Sequence, residues 1–497
     1  MTPFRIAALS CVAVGLAGCS VMPDPLSEVQ LAAFVDDKRS RILIGQESLS
    51  GPLTLSEAMA RALKYNLDKE VEIMNVLLAE QQLRVAHFSK LPGIVAGSGY
   101  AGRSNYSGGS SSELLGPKEV GAQSLVSSTS SERDVRSADI RFSWHILDFG
   151  LSWIRAKQSA DRVLIAEESR RRVINRLLEN VRTAYWRAVA ATRLSRRLEG
   201  LESRVQHALR NTRVLSEKGE SSPLTALTYE RELVEIQREL RRLVGELSSA
   251  KSQLAALTNL DPGKPFEVAV PNSYAPPAMA GMSVEEMVSV ALANRSELRE
   301  VAYQQRINAQ DAEAALLEML PGISFDAGPA WNSNRFLFNN NWVAWGAQAS
   351  WNLIKVFSYP DRIEEVEARD NLLDARARAV AMAIMTQVHV GRARLFHARR
   401  EYRSAAHYHD VQLRILGQIR SALAAGRISE QTAIREEMNA LVASVKRDMA
   451  FAELQSAKAV LLAAMGQAPF GDLDYQSMTI AQLRVAIAGG GIRVATR

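Results

Sequence analysis

Cysteine is nearly missing: the 497 residues contain two, Cys11 and Cys19. Cys11 sits in an N-terminal apolar stretch, so a chain cut after residue 18 keeps one thiol and has no internal disulfide. Long hydrophobic runs are missing too. After residue 18 no apolar run approaches the ~20 residues of a membrane-spanning helix, so any passage through a bilayer has to be made by strands. The phosphate-cradling Gly-x-x-x-x-Gly-Lys is absent, and with it the P-loop route to ATP hydrolysis. Asp148-Phe149-Gly150 has the kinase tripeptide, but neither a glycine-rich loop nor a catalytic loop accompanies it. Charge of one sign does not dominate. The net charge of +6 arises from Arg interleaved with Glu along helix-patterned stretches, and no basic cluster is threaded with aromatics, so nucleic acid is not an expected partner. No catalytic residue, metal site or cofactor is expected.

Proline is absent from Asp148 to Glu217, where only Gly150 and Gly200 interrupt a run crowded with Arg, Glu, Leu and Ala. That run predicts one helix of roughly 70 residues, about 105 Å long at 1.5 Å per residue, too long for a compact domain. It meets Lys218-Gly219-Glu220-Ser221-Ser222-Pro223, in which Gly suits the position past a helix end and Ser-Pro the start of the next. A return helix then runs to about Leu257. Its Leu233, Ile236, Leu240, Leu243, Leu247, Ala250, Leu254 and Leu257 are spaced alternately three and four apart, the seam of a coiled coil. With 47% hydrophobic residues the chain has the apolar matter for a large core.

The hairpin recurs 207 residues later: Gly219 aligns with Gly426, Ser222 with Ser429, and Ser249-Ala250-Lys251 with Ser456-Ala457-Lys458. Upstream, Leu53 to Ile94 recurs as Met282 to Ile323 at an offset of 229, ending both times in Leu-Pro-Gly-Ile. The offsets differ by 22 residues, an insertion in the first copy. The plan is a duplicated unit of helix, strand pair and long helical hairpin. Repeat 1 covers residues 53–260 (strands 94–103 and 136–147, hairpin 148–257). Repeat 2 covers residues 282–470 (strands 323–331 and 342–354, hairpin 359–465).

Each repeat opens on a capping box, Thr54-x-x-Glu57 and Ser283-x-x-Glu286, and a single helix is expected from there to Leu91-Pro92 and Leu320-Pro321. Then the period changes to two. Ala138, Ile140, Phe142, Trp144 and Ile146 alternate with polar residues, and Val343, Trp345, Ala347, Ala349, Trp351 and Leu353 do so largely, giving strands with one oily and one wet face. Five of the seven tryptophans, Trp144, Trp331, Trp342, Trp345 and Trp351, fall in or beside these strands, as interfacial aromatics do in membrane barrels. A Gly/Ser-rich segment, residues 104–136, and an Asn/Phe-rich one, residues 332–341, are expected to be exposed loops. Residues 19–52 read as an arm packed on something larger, residues 261–281 as a Pro/Gly-rich linker, and residues 471–497 as a tail with a loose end at Gly489-Gly490-Gly491.

Residues 1–18 read as a secretory signal, with Arg5 before the apolar Ile6 to Ala17. Leu16-Ala17-Gly18-Cys19 resembles the lipobox of bacterial lipoproteins, which makes Cys19 the lipid attachment point. Taken with the twofold repeat, the Leu-Pro junctions and the Gly-x-x-Ser tips, residues 19–470 resemble the TolC-like outer-membrane efflux proteins, especially their lipoprotein branch. The resemblance implies a mainly α fold with a membrane β-barrel portion. Three chains would build a 12-stranded barrel in the outer membrane and a 12-helix periplasmic tube. It implies a passive exit channel of a tripartite efflux or secretion system, lipid-anchored in the outer membrane. The implied partners are two further copies in a homotrimer, a periplasmic adaptor (membrane fusion) protein, an inner-membrane transporter and outer-membrane lipid. Lys218, Gly219, Ser222, Gly426, Arg427 and Ser429 would form the adaptor-docking tips.

The sequence departs from that family in places. Thr225 and Thr432 stand six residues after the tip glycines, where relatives often carry Asp, so a gating carboxylate ring is in doubt. In the second return arm Leu240 is matched by Arg447 and Leu243 by Ala450, leaving a thinner seam with one charge. His397, His407 and His409 are expected to face solvent or line the tube, since 407 and 409 lie on different helix faces. A lipid-anchored periplasmic coiled-coil scaffold or adaptor without a pore is the alternative, though adaptors usually carry one hairpin per chain.

Overall fold

The structure, a computed structural model, describes residues 23–110, 112–117, 119–123, 126–217, 223–271, 281–466 and 475–489. The arm carries α1 (Glu28–Arg41), capped by Ser27 and Gln30 and burying none of its residues. The chain then returns to the body. Leu53 bridges Val268 of the linker, with Leu53 N donating to Glu267 O and Ala269 N to Leu53 O.

Where one helix was expected in each repeat, there are two. The first copy has α2 (Leu55–Tyr65) and α3 (Leu67–Phe88), broken at Asn66, which is extended at φ −65°, ψ 128°. Asn66 caps α3 by accepting from Lys69 N, and its Nδ2 donates to Leu257 O at 3.2 Å. The Lys69 side chain is buried and donates to Leu63 O, at the end of α2, at 2.6 Å; burial drops its pKa to about 8.

After Pro92 come β1 (Gly93–Gly102), a short hairpin β2 (Ser112–Gly116) and β3 (Glu119–Gln123), and β4 (Asp134–His145). The segment expected as plain loop therefore holds a hairpin of its own. Directly after β4 comes α4 (Ile146–Glu217), 72 residues without a break, about 108 Å at 1.5 Å per residue. The return arm is α5 (Pro223–Leu257).

The second copy opens with α6 (Val284–Asn294), whose capping box is complete, and breaks at Arg295 (φ −71°, ψ 127°) before α7 (Ser296–Glu318). Arg295 is the repeat partner of Asn66, and its guanidinium reaches Ala464 O at 3.3 Å. Leu257 and Ala464, the two acceptors, are the last residues of the return arms. Next come β5 (Gly322–Asn332) and β6 (Asn341–Ser350). Strand β6 stops four residues before the expected end. The Trp351 indole instead donates to Met319 O at 2.8 Å, and Asn352 caps the short α8 (Leu353–Phe357). The hairpin follows as α9 (Tyr359–Ala424), 66 residues, and α10 (Glu430–Ala464).

Helix α11 (Ile480–Gly489) corrects the expectation of a patternless tail. Its Ile480, Leu483 and Ile487 are buried with Ala58, Met59 and Leu63 of α2 and Tyr185 and Val189 of α4. A second core joins α6 to α9 and α10 through Met287, Ile384, Val388 and Leu454. A third, nearer the tips, packs Val205 of α4 and Leu233 of α5 on Ile434, Met438 and Leu441 of α10.

Helices α4 and α9 each pack on two levels. Near the sheet α4 lies against α3 and α7, and toward the tips against α5 and α10; α9 meets α7 and then α10. Between α4 and α7 the contact is polar. Buried Asp161 accepts from Arg306 Nε at 3.0 Å and Gln310 Nε2 at 2.9 Å, and Gln158 donates to Asp311 at 2.7 Å. Among the described residues no helix is long and apolar enough to cross a membrane.

Candidate channel surfaces

The four long strands form one antiparallel sheet in the order β1-β4-β5-β6. Its register sorts the side chains. Ile94 stands opposite Phe142, Ala96 opposite Ile140, Phe142 opposite Ala327, Trp144 opposite Phe325 and Ala327 opposite Trp345, so these share one face. Asp139, Arg141, Ser143, His145, Ser324, Asp326 and Gln348 take the other. The apolar face is not covered: Ile94 is 71% exposed, Val343 70% and Trp345 84%. A contiguous exposed patch of this kind marks a surface meant for lipid or for protein.

Trp144, Trp331 and Trp345 lie on the apolar face. Trp342, opposite Ala330 and hence beside Asp139, lies on the polar one, while Trp351 is beyond the strand. At the loop end the two connections are tied together. Asn334 accepts from Glu132 N and donates to Ser130 O, and Arg335 pairs with Glu132 at 3.0 Å.

The sheet is open at both sides. Strands β1 and β6 each have one neighbour, so along each outer edge, ten residues long, alternate backbone groups meet no strand among the described residues. Helix α9 shows a similar vacancy: Met382, Val390, Tyr408 and Ile415 are exposed on a flank away from α10.

Turn chemistry accounts for the second tip. Gly426 takes φ +67°, a left-handed conformation suited to glycine; its N–H donates to Leu423 O and that of Arg427 to Ala422 O, closing the end of α9. Ser429 caps α10 by accepting from Thr432 N, and the Thr432 hydroxyl lies 3.1 Å from Ser429 Oγ. The Thr432 hydroxyl is thus part of a cap. Arg427 is exposed. Lys218, Gly219 and Ser222 of the first tip lie outside the described residues, as does Cys19.

Two features were not read from the sequence. Arg213 pairs with Glu230 across the first hairpin at 2.6 Å, and Arg420 with Glu437 across the second at 2.8 Å. The pairs are related by the same 207-residue offset, which is the signal that could have found them. Glu437 also takes Arg204 of α4, tying the hairpins to each other.

The second feature corrects the reading of His409. It faces neither solvent nor a lumen but is buried between α9 and α10, 3.0 Å from Ser444 Oγ and 3.1 Å from Arg447 Nη1. Arg447 in turn donates to buried Asp448 at 2.6 and 2.9 Å, and Arg193 of α4 stands 3.9 Å from the same carboxylate. Burial first, and then the Arg447 charge, hold the imidazole below its usual pKa. Arg447, which thinned the coiled-coil seam on paper, is neutralised inside it. Among the described residues no His, Cys, Asp and Glu cluster has the arrangement of a metal site.

No protein-family model and no curated protein sequence matches this chain. Solved structures do match. The CmeC outer membrane channel of Campylobacter jejuni aligns over 95% of this chain and 98% of its own, at 14% identity and a TM-score of 0.64. This chain has the fold of the TolC-like outer-membrane channels. The open state of the MtrE outer membrane channel of Neisseria gonorrhoeae aligns over 93% of this chain and all of that one, at 13% identity and a TM-score of 0.63. CusC, studied for its folding and transmembrane channel formation, aligns over 86% and 96%, at 17% identity and a TM-score of 0.62. The TolC-like fold accounts for the proportions of the chain: a small sheet at one end, two hairpins at the other, and the α2, α6 and α11 cores between.

Proposed function

We propose that this chain is one third of a passive exit channel in an outer membrane. The observation that carries the reading is the sheet: four strands of 10 to 12 residues, oily on one face and wet on the other, with both edges unpaired. In lipid an open edge leaves backbone N–H and C=O groups without partners, at several kcal/mol each. Pairing β6 of one copy with β1 of the next removes every edge once three copies close, with the Ile94–Trp345 face toward lipid and the Asp139–Gln348 face toward a water-filled bore. The same rotation sets the exposed flank of α9 against α5 of the next chain and continues the barrel as a tube of helices. A solvated polar bore without a catalytic constellation conducts rather than converts, and the energy for export comes from a partner. Cys19 is the lipid anchor, and the hairpin tips, with Gly219 and Gly426 at their turns, are where an adaptor and through it an inner-membrane pump dock.

Cysteine pairs test the closure cleanly, because the chain from Cys19 onward holds no other thiol. Cysteines placed at Ser98 in β1 and, one at a time, at Val343, Trp345 and Ala347 in β6, all on the apolar face, are expected to give a crosslinked trimer for one pair. The uncrosslinked protein is expected to conduct in planar bilayers. Monomeric protein with no intermolecular crosslink and no conductance would sink the proposal in favour of an anchored scaffold.

A further inference from the structure

The apolar face of the sheet does not end with β4. The Trp144 ring meets that of Phe149, at the start of α4, edge to face with centroids 6.0 Å apart. Next to Phe149, helices α4 and α7 leave an open groove of about 570 Å³ walled by Phe149, Trp153, Ile154, Leu316 and Leu317. Gly150 lets the helices close beneath it, since a Cβ there would stand 3.2 Å from Leu317 Cδ1. Lys157 and Glu313 face one another at the rim, 3.9 Å apart. Beside the groove stands Lys90, with its ammonium 4.9 Å from the centre of the Trp153 ring. It has a contact with His87 Nδ1 at 3.2 Å but no carboxylate partner among the described residues.

The geometry points to this groove as the seat of one acyl chain of an anionic phospholipid, from the leaflet nearest the helices, with its phosphate at Lys90. Three observations meet here. The walls are apolar and open, which in water would be a standing cost. They continue the face read above as facing lipid, so the groove lies where acyl chains give way to headgroups. A lysine held by an aromatic ring rather than by an acid keeps its charge available, and an ammonium is a phosphate-binding point charge. The size suits one chain of a small amphiphile. The inference rests on the channel reading, which supplies the membrane level.

The test is quenching of tryptophan by brominated lipid in the reconstituted full chain. Vesicles of phosphatidylethanolamine carry either dibrominated phosphatidylglycerol or dibrominated phosphatidylethanolamine at equal mole fraction. The Trp153 signal is taken as the difference between the unmodified protein and Trp153→Phe. Brominated phosphatidylglycerol is expected to quench it about fivefold more effectively, the preference one basic residue confers at a charged surface. Lys90→Gln should abolish that preference without altering the trimer. Equal quenching by the two lipids, or a preference that survives Lys90→Gln, overturns the inference. So does quenching that appears only in Cys19→Ala, which would assign the groove to the chain's own acyl group. Trp345, measured in the same way with Trp345→Phe, separates the two levels of the argument. If Trp345 is quenched by both lipids and Trp153 by neither, the groove inference alone fails; if Trp345 is not quenched, the channel reading fails.

Discussion

Gly328 sits where the backbones of β4 and β5 approach closely. A Cβ built there would lie 1.8 Å from Ile140 O, a backbone atom that cannot swing aside, and the next residue is Pro329, which has no N–H to give to β4. Gly328→Val should therefore force β4 and β5 apart and reduce assembled trimer at least about tenfold, the effect of little more than ~1.4 kcal/mol. Gly346→Ala, in the neighbouring strand but with nothing within 4 Å of its Cβ, should leave trimer unchanged. Semi-native gel electrophoresis of membrane extracts reads both. At this scale the sequence was a poor guide. Gly328 and Gly346 look alike on paper, and Asn66 and Arg295 break their helices without proline or glycine. Asn66 could be read in hindsight as a cap, but Arg295 makes no side-chain cap bond, and its guanidinium is shared between Glu297 at 2.8 Å and a carbonyl 169 residues away.

Between elements, the His409 node sets a pH dependence on one hairpin. Burial and Arg447 keep the folded imidazole below its ordinary pKa of 6.5, so an opened hairpin binds a proton that the closed one refuses. The sign follows: stability is at its full value above pH 6.5 and is lost as pH falls below it. Amide exchange in α9 and α10 around residues 405–448 should accelerate between pH 7.5 and 5.5, after correction for intrinsic rates. The same measurement on His409→Gln should show little of that change, and α5, which has no buried imidazole among the described residues, serves as the internal control. An unaltered acceleration in His409→Gln would rule the imidazole out. The elements themselves were the legible part, because they follow from periodicity and punctuation. The 72-residue α4 follows from an absence of proline, and the strand faces follow from alternation in Ala138 to Trp144. What periodicity cannot carry is the partner of each face. The Asp161–Arg306 contact between repeats, and the burial of α11 against α2, join residues far apart in sequence and obey no local pattern.

For the whole molecule, the proposed function makes the tips the place where a closed duct would become a working one. Trp or Val at both Gly219 and Gly426 should abolish export in cells while trimer level and bilayer conductance stay within about twofold of the parent. Gly426 at φ +67° makes its substitution a local strain of ~1–2 kcal/mol, small against the three cores above it. Export that persists in the double substitution would remove the tips from the docking role. Export lost together with trimer would mean that the turns serve assembly instead. Gly426 was legible as a turn because the copies mark each other; the cargo is not, because a passive bore of the kind proposed would record little of what a pump selects.

The breaks at Asn66 and Arg295 have a mechanical meaning. Each chain offers four helical tracks, and two of them are cut, at repeat-related positions where a side chain bonds the last carbonyl of a return arm. Just α4 and α9 run unbroken from sheet to tip. Torque applied at the far end is therefore expected to travel along those two rods, with the level of Asn66 and Arg295 as the place where the other two tracks can turn.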